Sequence, residues 1–361
     1  MSAAPHALLG RPQRDFVWFV GPGLVAAAVA TALGLLDPRS EATDTGVGLW
    51  IVGVLLVDVA HVWASLYRTY LDPVARVHHR QRLIVAPIAC AGVGVALHLV
   101  SPALFWSVLA YVAIFHFIKQ HVGFAMIYVR AGGETPRDRR LVEAAVWAGT
   151  AGPVLWWHAN LPTQFVWFLP GDLMSGVPDW LGPVALWAQV PIWVMFIGRR
   201  IQLRRQGKGH PLVDWLVLVP AINWHLGIVV FDDDRIFTIT NVFLHGIPYL
   251  ALVWVAGGRS RVRQLVGLRS DKLPLLLAAY YGLLVVLATT EEALWDRLVW
   301  HDHAMLFGAS AFEVPVDSLL MALIVAGLTV PQATHYILDR FIWRVGPQNP
   351  DLARQLGLSS R

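Results

Sequence analysis

The sequence predicts an all-α, polytopic membrane helix bundle, and three observations carry that prediction. Of 361 residues, 56% are hydrophobic and 14% charged, against about 25% charged in a soluble chain. The apolar residues gather in runs of about 20, the length that crosses a bilayer as a helix. The Lys and Arg residues fall almost entirely on alternate sides of those runs. Such a composition excludes a soluble fold, a nucleic-acid binder and a disordered scaffold. A single cysteine, Cys90, excludes a disulfide framework, a thiolate zinc site and a Cys-ligated iron–sulfur cluster. Seventeen tryptophans suit a protein with two membrane interfaces.

The apolar runs give about ten spans: 16–36, 47–67, 83–103, 105–129, 141–158, 180–198, 211–230, 236–256, 273–293 and 314–341. With the N-terminus placed in the cytoplasm, the inner segments hold 24 of the 28 Lys and Arg residues. The outer segments hold Arg39, Arg235 and Arg297, and Lys119 lies inside a span. That asymmetry predicts ten helices with N- and C-termini cytoplasmic. Residues 1–361 read as a single integral membrane domain, multi-pass, of the inner (plasma) membrane. The outer segment 291–303 is acidic and bears His301 and His303; it either caps the outer face, forms a second site or is only solvated.

Ionisable side chains within spans cost about 2.5–3.5 kcal/mol at a helix centre, so they mark candidate chemistry. Span 2 carries Asp58 and His61, and span 4 carries His116, Lys119, Gln120 and His121. Span 8 carries Asn241 and His245, and span 10 carries Gln332, His335 and Asp339. From the cytoplasmic end, His61 and His335 lie about 9 Å deep, His121 about 12 Å, His245 about 17 Å and His116 about 20 Å. Packed helices would bring these imidazoles to one point. Each has a polar companion one turn away: Asp58 for His61, Gln120 for His116, Asn241 for His245, and Gln332 and Asp339 for His335. A metal-bound imidazole commonly gives its other N–H to such a group.

Other readings stand beside this one. His121 lies about 140° around an ideal helix from His116, so both serve one site only if span 4 is distorted. Asp339 has Arg340 and Arg344 nearby for an interfacial ion pair, whereas Asp58 has either an imidazole or Lys119 to pair with. His98, His158 and His225 read as packing residues, and His78, His79 and His210 as solvated. Pro248 and Pro331 would free the carbonyls of Leu244 and Gly327. Gly123, Gly246 and Gly327 would allow close helix approach.

An all-imidazole site with carboxylates nearby and no thiolate suits iron, with zinc or copper as alternatives. His61, His116, His245, His335 and His121 are the candidate ligands, for one ion or two. Asp58, Gln120, Asn241 and Asp339 are the candidate orienting groups.

Several segments resemble the Brp/Blh-type membrane carotene 15,15′-oxygenases. AGLTVPQATHYILDRFIWR looks like that family's last-helix pattern, and IFHFIKQH its IIHFG helix. NVFLHGIPYLALVW resembles a later FIHS…FVW helix, and DVAHVW stands where the family has an early PHG histidine; the order is the same. The resemblance implies a buried histidine cluster holding one iron, with His61, His116 and His245 as ligands and His335 as the last-helix histidine. Here the last-helix histidine is displaced by three residues, and no second histidine follows His245 on its helix.

The expected function is a membrane oxidoreductase or oxygenase that uses histidine-bound iron and dioxygen on a lipophilic substrate, such as a lipid, fatty chain or polyene. An electron donor and the lipid bilayer are its expected partners, and nucleic acid is not. The alternatives are a proton- or ion-coupled transporter or channel with a polar His/Asp path, and a membrane haem protein.

Overall fold

The computed structural model describes residues 6–38, 46–267, 272–309 and 314–358. Arg39, Arg269 and Arg361, counted in the charge distribution, lie outside the described residues. Within them the protein is all-α. Eight helices are long and apolar enough to cross a membrane: α3 (Val47–Arg68), α4 (Arg80–Val100), α5 (Pro102–Ala131), α7 (Leu181–Arg205), α8 (Pro211–Val230), α9 (Asp234–Val266), α10 (Leu273–Trp300) and α11 (Leu319–Ile342). A ninth candidate is the bent pair α1 (Pro12–Phe19) and α2 (Gly21–Leu36), which meet at 42°. Helix α6 (Pro136–Ala159) covers the expected 141–158 span but is not among the eight. Its first turn is charged, and half of its residues are packed inside the protein.

The helix ends follow local chemistry. Thr135 and Asp138 form a reciprocal capping box at the start of α6, and Ser318 caps α11 by accepting from the N–H of Met321. Pro12, Pro73, Pro136 and Pro211 occupy first turns, where their missing N–H costs nothing. Several spans widen into π-helical turns, notably Trp50–Val59 in α3 and Ile239–Phe243 in α9.

By internal packing the chain falls into two compact units. The first comprises 1–46, 113–248 and 357–359 and contains α1, α2, most of α5, α6, α7, α8 and the start of α9. There α2 comes so close to α8 and α9 that a Cβ on Gly23 would meet Val219 at 2.5 Å and Leu244 at 2.6 Å. An alanine there would force both side chains to shift. The second comprises 47–112, 249–356 and 360–361 and contains α3, α4, the start of α5, the rest of α9, α10 and α11. Its core joins Leu55, Tyr67, Tyr249, Val253, Leu276 and Tyr280, and Leu83 and Ala86 of α4 pack on Leu338 of α11. Both α5 and α9 continue unbroken from one unit into the other.

Two of the expected glycines, Gly123 and Gly327, make no close approach. Gly123 and Gly327 face open space; Gly23 and Gly149 make the contacts. Pro248 and Pro331 do sit inside helices, as expected. His79 and His210, expected to be solvated, are buried and bonded to Asn349 and to the carbonyl of His6.

Candidate metal centre

In the first unit, α5 and α9 bring His116 and His245 together, with ring centroids 5.2 Å apart and planes at 77°. Phe117 lies flat on His245 at 3.6 Å and 6°, which fixes that ring's plane. Gln120 donates its amide N–H to the carbonyl of His245 at 2.8 Å, tying α5 to α9. Gln120 was expected to orient His116; its bond is instead to the neighbouring backbone. Asn241 donates to the carbonyl of Phe237 at 2.9 Å, and its amide oxygen accepts no hydrogen bond.

In the second unit, α3 and α11 bring His61 and His335 to the same spacing, 5.2 Å at 81°. Here a carboxyl group lies near each ring. Oδ1 of Asp58 lies 3.5 Å from Nδ1 of His61, and Oδ1 of Asp339 lies 3.6 Å from Nδ1 of His335. These contacts are long for hydrogen bonds, yet they place a carboxyl oxygen beside Nδ1 in both rings. That favours the tautomer with the proton on Nδ1 and the lone pair on Nε2.

Asp339 is not an interfacial ion pair with Arg340 or Arg344. Its Oδ1 accepts from the Tyr249 hydroxyl at 2.7 Å and from Trp343 Nε1 at 3.3 Å. Lys119 likewise is not the partner of Asp58, because it pairs with Glu143 at 2.9 Å. Gln332 donates to the Tyr336 hydroxyl at 2.7 Å.

Together the four residues form one group: a ring nitrogen from each of His61, His116, His245 and His335 lies within 4.8 Å of all the others. All four are buried, at 1%, 6%, 0% and 1% exposure. Two nitrogens on opposite sides of one ion stand about 4.0–4.4 Å apart, twice a metal–nitrogen bond. A buried four-histidine set of this kind could hold a metal ion. The two adjacent carboxylates would also balance a divalent charge, which an apolar interior otherwise opposes. His121 is outside the group. Helix α5 is regular here, so the 140° offset from His116 persists and the His121 ring stands 6.5 Å from that of His245.

The acidic segment 291–303 makes no comparable group among the described residues. Glu291 accepts from Trp63 Nε1 at 2.6 Å, Asp296 accepts from the N–H of His303 at 2.6 Å, and His303 stacks on Trp50.

Tyr249, Phe117 and Trp343 were not singled out from sequence. Tyr249 presents its ring edge-on to His61 at 5.6 Å and to His335 at 5.0 Å. The one available signal was spacing: Tyr249 is four residues after His245, and Trp343 four after Asp339. Comparison with family models, with curated proteins and with solved structures gives no match for this chain.

Proposed function

We propose that the protein is a multi-pass oxidoreductase of the inner (plasma) membrane that holds iron in His61, His116, His245 and His335. On this reading it acts with dioxygen on a lipophilic substrate, such as a lipid, fatty chain or polyene, with electrons from a separate donor. It has ten spans with both termini cytoplasmic, α6 and the bent α1–α2 pair supplying the two beyond the eight apolar helices. The observation that carries the reading is the four-histidine group, buried in an apolar interior.

Iron bound there supplies redox chemistry that the side chains lack. The protein's own residues do the rest. Asp58 and Asp339 hold protons at Nδ1 of His61 and His335, Tyr249 and Trp343 hold Asp339, and Phe117 holds the plane of His245. The apolar surroundings exclude water and favour an apolar substrate. The same four histidines are the ones that align with the Brp/Blh-type pattern, which supports a polyene among the candidate substrates. Against the haem alternative, rings 5.2 Å apart leave no space for a macrocycle between them.

Purification in mild detergent followed by elemental analysis and an optical spectrum tests this directly. About one iron per chain, no Soret band and iron-dependent oxygen uptake with lipophilic substrates are expected. Less than about 0.3 metal per chain, or a proton flux in vesicles abolished by His116→Ala, would overturn the reading in favour of a transport path.

A further inference from the structure

At one end of the first unit, α5 and α7 finish and α6 and α8 begin, and one buried guanidinium ties these ends together. Arg200 of α7 donates to Glu134, in the turn before α6, at 2.7 Å. It also donates to the carbonyl of His210, just ahead of α8, at 2.8 Å, and to Asp214 of α8. Arg199 pairs with Asp138 of α6 at 2.7 Å, and Arg204 with Asp214. Farther along α6, Glu143 pairs with Lys119 of α5 at 2.9 Å. Asp15 of α1 accepts from the Tyr128 hydroxyl and from the N–H groups of Leu8 and Leu9. These carboxyl groups are thereby all taken.

Six cations are left over. Arg130, Arg137, Arg139, Arg140, Arg205 and Lys208 are all exposed, and none has an acidic partner among the described residues. Orienting a chain in the membrane needs basic residues near span ends and nothing more. Arg137 and Arg139 go further, because they stand in the first turn of α6, where the helix dipole disfavours positive charge. Cations gathered in this way repel one another until an anion arrives from outside. The helix α7 shows what kind of anion fits. Val194, Ile197 and Ile201 are 65%, 51% and 48% exposed, and their spacing of three and four residues makes one stripe that ends at Arg205. An apolar stripe that runs along a span into a group of cations matches an acyl chain below a phosphate. A soluble anion would use the cations and leave the stripe bare.

We propose that this end of the first unit holds an anionic phospholipid, its phosphate among the six unpaired cations and an acyl chain along the α7 stripe. The surface is apart from the histidine centre: Arg130 lies about 21 Å along α5 from His116. Lipid binding there needs no metal, so it stands or falls separately from the function proposed above.

Native mass spectrometry of the full chain in mild detergent tests this, with dioleoyl phosphatidylglycerol and dioleoyl phosphatidylcholine as probes of equal chain length. Phosphatidylglycerol is expected to bind at least about tenfold more tightly, and the difference should shrink as salt is raised. A cation beside a charged headgroup is worth about fivefold in binding. The variant combining Arg137→Gln, Arg139→Gln and Arg140→Gln should therefore lose at least about tenfold for phosphatidylglycerol and little for phosphatidylcholine. Arg205→Gln with Lys208→Gln should act in the same direction. Arg354→Gln, which removes an exposed cation already paired with Asp351, should change binding by less than about twofold. Equal binding of the two lipids, or equal losses from Arg354→Gln and the triple variant, would overturn the proposal. So would displacement of the lipid by inorganic phosphate at the same concentration, or tighter binding of polyglutamate, which would mark a surface for an acidic protein. Should the variants fail to fold, the lipid selectivity of the wild-type protein decides it alone.

Discussion

The pair His61 and His335 and the pair His116 and His245 share a spacing of 5.2 Å and a near-perpendicular arrangement, yet their surroundings are opposite in character. The first pair has a carboxylate beside each Nδ1. The second has a stacked phenyl ring and an amide bonded to backbone. Equal geometry thus comes from two devices: charge that fixes a tautomer, and packing that fixes a plane. A carboxylate also raises the basicity of the imidazole it touches, so the two pairs would be unequal donors to one ion.

The largest effect breaks the comparison outright. Alanine at any one of the four histidines is expected to lower bound metal at least about tenfold by elemental analysis, whichever pair it belongs to. Equal loss from both pairs supports one shared ion; retention after His116→Ala or His245→Ala would limit the site to the carboxylate-backed pair. Next come the carboxylates. Asp58→Asn and Asp339→Asn each keep size and remove charge, and should weaken metal affinity by about 10–100-fold. Gln120→Leu should change affinity by less than about threefold while lowering thermal stability, because it cuts a bond to backbone rather than to a ring. Competition with a chelator of known affinity separates these outcomes.

Tyr249→Phe is a finer probe. It removes one hydroxyl donated to Asp339 and leaves the ring beside both histidines. The expected loss is about 2–10-fold in metal affinity, the scale of a single hydrogen bond. A result as large as that of Asp339→Asn would mean that the hydroxyl, rather than the charge, orients His335.

The smallest effect concerns a carboxylate held by a guanidinium instead of an imidazole. Asp138, at the start of α6, accepts from Arg199 Nε at 2.7 Å and from the Thr135 hydroxyl at 2.6 Å. The Arg199 bond, with help from Thr135, holds its carboxyl down at about 2 against an ordinary 3.8. A depressed carboxylate stabilises the folded state above its unfolded value and stops doing so as pH falls through the folded one. The Tm advantage of wild type over Asp138→Asn should therefore be full at pH 5 and above, fade from about pH 4 and vanish near pH 2. A pH-independent advantage would assign it to the capping box alone.

How much of this was legible in sequence divides along the same line. Spans were readable because a lipid-exposed backbone must satisfy itself, which forces long apolar runs into helices. The four histidines were readable because buried ionisable groups are costly enough to stand out from an apolar background. Asp58 stood out for the same reason. Phe117 and Tyr249 did not, since an aromatic residue in a chain with 17 tryptophans and 15 phenylalanines carries no contrast. Asp339 misled because Arg340 and Arg344 are near in sequence, whereas its carboxyl oxygen is held by Tyr249 and Trp343. The expectation for Gly123 and Gly327 failed for a related reason: small residues permit close packing wherever they occur, and only the tertiary arrangement selects Gly23 over Gly123.

The wide turns of α3 carry one more consequence. A π-helical turn is an α-helix with one residue inserted, and here it runs over Trp50–Val59, immediately before His61. Deleting a single residue within it would let the chain relax to ordinary helix, with no backbone bond lost. The correction would rotate everything upstream by about 100° relative to His61, carrying Trp50 off its stack on His303. In most membrane helices a deletion moves the ends; in this one it would act as a dial, turning the N-terminal half of the helix while the imidazole stays in place.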